Sequence, residues 1–153
     1  MVEIVLEAAM LLEVTHRTLE PERLREHVRN DASGAVALFL GVVRNNSRGR
    51  QVRYLEYDAY PQMAEKIMQQ IAHEIMERWS LSDVAMQHRI GRLEIGEPSL
   101  VIAVASPHRR EAFEGCQDAV ERIKEALPIW KKEVCENGEV WIEGDPSAPS
   151  KTA

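Results

Sequence analysis

Two stretches of this chain repeat apolar side chains at helical spacing: Met63, Ile67, Ile71, Ile75 and Trp79 in one, Phe113, Cys116, Val120, Ile123 and Leu127 in the other. Each stripe must bury against a partner surface, and segments of strand character supply it. These run over residues 11–15, 35–43, 52–60, 83–90, 92–95 and 100–105, in no regular alternation with the helices. Two long helices mixed irregularly with strands predict an α+β fold on a mixed, largely antiparallel sheet rather than a doubly wound parallel one.

Punctuation sharpens this outline. Pro21 opens a shorter helix through Leu24 and Val28, Pro61 opens the first long helix, and Pro128 ends the second. Residues 35–43 are apolar on both alternations, which predicts a strand covered on both faces. Residues 129–136 and 139–143 flank Asn137-Gly138, a pair suited to a two-residue turn with positive φ at both positions, so a C-terminal β-hairpin is expected. Residues 45–51, rich in Asn, Ser, Gly and Arg, read as a loop and are expected to be mobile.

The chain has 153 residues, enough for one domain with a proper core. That domain is expected over residues 1–145, with a flexible tail over 146–153 where Pro146, Ser147, Pro149 and Ser150 cluster. Apolar residues at 44% and charged residues at 29% exclude a disordered class. A net charge of −6 argues against general nucleic-acid binding, which rests on a basic surface. Cys116 and Cys135 form no metal-ligand spacing or disulfide framework, so a metal-free, cofactor-free chain in a reducing compartment is expected. The N-terminus lacks a signal-peptide pattern and no apolar run is long enough to span a bilayer, which predicts a cytoplasmic location without membrane contact.

Against this acidic background, Ser106-Pro107-His108-Arg109-Arg110 crowds positive charge onto a helix start. A helix N-terminus already carries about half a positive charge, so the cluster invites an anion, and phosphate suits it. The competing reading pairs the arginines with Glu111 and Glu114. Arg44, Arg48, Arg50 and Arg53 form a second basic group with no acidic residue between them. Lys124 lies beside the apolar stripe, where its stem can follow the core boundary while its amine reaches a cleft, or where it merely snorkels. Lys131 follows Trp130, and partial desolvation there predicts a lowered pKa suited to acid, base or nucleophilic work; an exposed strand face is the alternative. Cys116 belongs to the core, His73 to the surface, and His88 to the structural framework.

If residues 108–127 form one helix, His108 and Lys124 stand about 24 Å apart along its axis at 1.5 Å per residue. One small ligand cannot span both within a subunit. A symmetric dimer that brings one subunit's helix start to the other's Lys124 reconciles them.

Five segments occur together and in order: Gly41-Val42-Val43-Arg44-Asn45, Tyr60-Pro61-Gln62-Met63, His88-Arg89-Ile90-Gly91, Ser106-Pro107-His108-Arg109 with Phe113, and Lys124 to Glu133 with Pro128-Ile129-Trp130-Lys131. Over residues 34–143 the chain resembles the MoaE family, the large catalytic subunits of molybdopterin synthase. The resemblance implies an α/β-hammerhead type fold and a homodimer within a heterotetramer, each end binding a small ubiquitin-like sulfur carrier of the MoaD type. It implies sulfur transfer from the carrier's C-terminal thiocarboxylate to cyclic pyranopterin monophosphate, also called precursor Z, forming the molybdopterin dithiolene. By position, Lys124 and Lys131 would be the catalytic lysines, and Arg44, His108 and Arg109 would hold the substrate phosphate. Where the family often has a basic residue after the Trp-x-Glu segment, here Trp141-Ile142-Glu143, this chain has Gly144-Asp145. Two rival functions use parts of this set: a non-catalytic docking module for a ubiquitin-like carrier would tolerate loss of Lys124, and a phosphate-ester or nucleotide-binding regulator would need only the basic helix start.

Overall fold

A computed structural model describes residues 10–143, so the outer limits expected for the domain and its tail lie outside the described residues. In chain order the elements are β1 (Leu12–Thr15), α1 (Pro21–Val28), β2 (Ala35–Val42), β3 (Asn46–Ser47), β4 (Arg50–Ala59), α2 (Pro61–Trp79), β5 (Asp83–Arg89), β6 (Gly91–Glu94), β7 (Pro98–Ser106), α3 (Arg109–Ala126), β8 (Ile129–Cys135) and β9 (Val140–Glu143). The α+β expectation holds, with two long helices, one short helix and two sheets. The first sheet runs β1-β5-β7-β2 and the second β3-β4-β8-β9, with β6 added beside β4. Every pairing is antiparallel except β1 with β5.

The first sheet is sandwiched. On one face α2 and α3 bury Met68, Ile71, Ile75, Ala112, Cys116 and Ile123 against Val84, Met86, Ile102 and Val104. On the other, α1 lays Leu24 and Val28 over Ala85, Val101, Ala103 and Ala105. This double cover explains why β7 is apolar almost throughout. The second sheet has a smaller core of Val43, Val52, Leu55, Leu93 and Cys135.

Several expectations need correction. The β2 strand is not covered on both faces: Val36, Leu38, Leu40 and Val42 are 37–51% exposed, because α1 packs mainly over β5 and β7 and leaves much of the edge strand open. Phe113 is 68% and Met63 55% exposed, so each helical stripe is buried in its middle and open near its N-terminal end.

The turns also trade places. The 45–51 segment is not an open loop: β3 pairs with β4 through Arg48-Gly49, both at positive φ (51° and 80°), the two-residue turn expected further along. At Asn137-Gly138 only Gly138 has positive φ, at 83°. There the Gly138 N–H donates to the Cys135 carbonyl at 3.0 Å and the Cys135 N–H to the Glu139 carbonyl at 2.9 Å, a three-residue connection with glycine at its left-handed position.

Candidate active site

The two sheets and the last turn of α3 enclose a cavity of about 360 Å³. Arg44 follows the end of β2, Lys124 lies in the last turn of α3, and Lys131 and Glu133 project from the same face of β8. Sequence reasoning named the first three separately, and the fold brings them to one hollow. His108 and Arg109 do not join them. They line a separate open depression with Gly34, Pro107, Arg110 and Glu111, at the far end of an unbroken helix α3. The axial separation of about 24 Å therefore stands.

Electrostatics divide the cavity. Among the described residues no carboxylate pairs with Arg44 or Lys124, and both are exposed. Lys124 also complements the carbonyl end of the α3 dipole. These two cations are available to an incoming anion. Lys131, by contrast, is already engaged: its ammonium lies 3.3 Å from Glu133 and 3.2 Å from Glu143.

This arrangement overturns the lowered pKa expected for Lys131. Burial does pull the amine down, but Tyr57, Glu143 and Glu133 around it outweigh burial and hold its pKa above the usual lysine value. Lys131 is thus a charged hydrogen-bond donor rather than a free base, suited to stabilising negative charge on a reacting oxygen or sulfur.

Glu133 was missed as a site residue. It is 2% exposed, accepts from the Ser47 hydroxyl at 3.1 Å and Arg50 at 3.3 Å, and keeps a depressed pKa; burial pushes it up, and Lys131, Ser47 and Arg50 more than reverse that. The signal was present, since Lys131 and Glu133 are two apart on a strand and share a face. Arg50, with no acidic residue in its own segment, finds its carboxylate across the sheet and stacks 4.1 Å from the Trp141 ring centre. Arg48 and Arg53 are exposed and do not line the cavity.

His88 and Tyr57 complete the cavity wall. The His88 ring is 7% exposed, its Nδ1 lies 2.8 Å from the Arg89 carbonyl, and burial lowers its pKa to about 4. It is therefore neutral, with Nδ1–H as donor. Tyr57 meets it edge-on at 5.1 Å, and burial raises the phenol's pKa. Cys116 is buried in the main core, where desolvation lifts its thiol to about 11, so it is no nucleophile.

At the basic helix start, His108 occupies the N-cap position and its N–H donates to the buried Ser106 hydroxyl at 3.4 Å, rather than Ser106 capping the helix. Arg110 is drawn to Glu114 at 3.6 Å. Among the described residues, His108 and Arg109 have no such partner. Gly34 lies against this turn: a Cβ there would come within 2.8 Å of the Pro107 carbonyl oxygen.

The family model described as MoaE protein matches residues 14–126. A molybdopterin synthase catalytic subunit of Halalkalibacterium halodurans is 49% identical over 121 residues, covering 79% of this chain and 78% of that protein. One from Pyrococcus abyssi is 44% identical over 124 residues, covering 81% and 84%. Among solved structures, molybdopterin synthase from Staphylococcus aureus superposes with a TM-score of 0.83 at 43% identity, covering 88% of this chain and 97% of that one.

Proposed function

The chain belongs to the MoaE family, and from that premise we propose that it is the catalytic subunit of a molybdopterin synthase. In this role it takes sulfur from the C-terminal thiocarboxylate of a small ubiquitin-like carrier and builds the dithiolene of molybdopterin on cyclic pyranopterin monophosphate. The observation that carries this reading is the convergence of Arg44, Lys124 and Lys131 on one cavity, where among the described residues Arg44 and Lys124 have no carboxylate partner. A doubly anionic encounter, phosphate on one reactant and thiocarboxylate on the other, needs such a surplus of positive charge.

The division of labour follows from the geometry. Lys124, exposed and lining the cavity, meets the incoming thiocarboxylate. Lys131, held in place by Glu133 and Glu143, donates to the oxygen on which charge develops as each carbon–sulfur bond forms on the pterin and water then cleaves the carrier's acyl–sulfur bond, releasing the carrier as a carboxylate. Arg44 orients the pterin, its guanidinium fork matching phosphate geometry. His108 and Arg109 serve the cavity of a second copy, gripping the phosphate from across a homodimer. The exposed apolar face of β2 supports that arrangement, since Val36, Leu38, Leu40 and Val42 form a continuous uncovered stripe. Two sulfur atoms are needed per product, so the half-sulfurated pterin must stay anchored while the spent carrier leaves.

The relatives' description as a catalytic subunit fits a second, carrier subunit, giving a heterotetramer of two of each chain. No helix of the described residues is long and apolar enough to cross a membrane. The reading places the protein in the cytoplasm, where the buried thiols Cys116 and Cys135 stay reduced.

The test is to mix purified protein with thiocarboxylated carrier and precursor Z and measure dithiolene product. Wild type should turn over and Lys124→Ala should lose nearly all activity. A Lys124→Ala protein as active as wild type would remove that residue's role, and an inactive wild type would overturn the assignment.

A further inference from the structure

One cavity residue has no part in the chemistry above, yet it touches both halves of the site. Tyr57 is the cross-strand neighbour of Lys131 in the β4–β8 ladder, and Lys131 is in turn the neighbour of Glu143 in the β8–β9 ladder. The three side chains form one row across the second sheet. On its other side Tyr57 reaches the first sheet, where its hydroxyl is hydrogen-bonded to Ser99 on β7.

Ser99 Oγ also lies 3.2 Å from the Gly41 carbonyl, on the same hydrogen-bond path. The Tyr57–Ser99 contact favours the ionised phenol and so opposes the upward push of burial, and the Tyr57 oxygen keeps a lone pair towards Lys131. Lys131 has three N–H donors, of which Glu133 and Glu143 take two. The remaining donor and the tyrosine oxygen are complementary. His88, edge-on to the phenol ring, fixes the ring plane from β5.

We propose that Tyr57 is a positioning residue, its hydroxyl holding the Lys131 ammonium in register with the strand that carries Arg44. Gly41, the far end of the hydrogen-bond chain, lies three residues before Arg44 on the same strand path. The chain Lys131–Tyr57–Ser99–Gly41 thus ties the amine on the second sheet to the phosphate grip on the first. The charged and titratable groups facing Lys131 are Tyr57, Glu133 and Glu143, with Arg44, Lys124 and His88 on the remaining walls.

This inference rests on the sulfur-transfer function proposed above, and its test has an arm that does not. In Tyr57→Phe the ring keeps its place against His88 and only the hydroxyl is lost. The sulfur-transfer kcat should fall about tenfold with KM for the pterin unchanged, the scale of one lost hydrogen bond. The alkaline limb of the kcat profile should move to lower pH, because a group that favours the charged amine has gone. Ser99→Ala should shift both in the same direction, and the double variant should be no worse than Tyr57→Phe alone.

The second arm titrates 13C-labelled lysine side chains by NMR in the free protein, with Lys131→Arg assigning the resonance. The Lys131 transition should fall in Tyr57→Phe relative to wild type. An unchanged Lys131 titration overturns the proposal, whether or not the rate falls, since a merely structural role would leave the amine unmoved. An inactive wild type with a shifted Lys131 titration would instead overturn the functional reading and keep the contact.

Discussion

Glu133 sits in β8 with 2% of its side chain exposed and holds the guanidinium of Arg50 at 3.3 Å. The same carboxylate lies 3.3 Å from Lys131, so one buried anion pairs with two cations. Removing it by Glu133→Gln keeps the shape but takes the carboxylate from Arg50 and leaves Lys131 with Glu143 alone, which should destabilise the protein by about 3 kcal/mol in urea unfolding. The sign with pH follows. Glu133 titrates below its ordinary 4.5 in the folded state, so its stabilisation is present above that value and is lost as pH falls through the folded pKa. The variant's stability should therefore be flatter than wild type's in acid; an identical acid slope would contradict the pairing.

His88 has the complementary pH signature. Its folded pKa of about 4 lies below the ordinary 6.5, so the unfolded chain takes up a proton first as pH falls. Stability is whole above 6.5 and should decline by about 3 kcal/mol between there and 4 from this residue alone. His88→Asn retains a donor for the Arg89 carbonyl and should erase that slope. Urea midpoints at pH 7.5 and 5 measure it, and a variant that loses as much stability over this range as wild type would remove His88 as the cause.

Gly34 controls the basic helix start by close approach. Gly34→Ala would push a methyl into the Pro107 carbonyl at 2.8 Å, where backbone rather than a flexible side chain must give way. A cost of about 1–3 kcal/mol is expected, together with weaker substrate binding as His108 and Arg109 shift. Calorimetry of pterin binding reads the second effect, and unaltered affinity in a destabilised variant would separate Gly34 from the anion grip.

Shared sites predict complementation. Lys124→Ala and His108→Ala dimers should each be inactive. When they are mixed and allowed to exchange subunits, half the dimers are mixed and each has one intact site, restoring about a quarter of wild-type activity. Leu40→Glu, on the uncovered face of β2, should sediment as a monomer and restore nothing. Failure of the mixture to recover activity despite proven exchange would place both residues in one subunit's site.

Much of this molecule was legible before its coordinates. Apolar spacing located α2, α3 and most strands to within a residue or two, because local periodicity follows from the core face each element must bury. The errors have a common physical origin in long-range context. Phe113 and the β2 stripe are as apolar as buried residues, and spacing cannot tell a face that meets its own chain from one left for another surface. The Lys131 pKa shifts up rather than down because desolvation is legible locally, next to Trp130, whereas Glu143 arrives from a neighbouring strand. Arg48-Gly49 makes the tight turn that Asn137-Gly138 advertised, since strand register decides how many residues a hairpin may use. Arg44, Lys124 and Lys131 were nameable one by one, and only the meeting of two sheets made them one site.

That meeting has a thermal consequence. Because the phosphate anchor hangs from one sheet and the reacting amine from the other, slippage of a few tenths of an ångström between them would spoil alignment while each sheet keeps its own ladder intact. On warming, turnover should vanish several degrees before circular dichroism registers melting, and bound pterin, by clamping both walls, should close that gap.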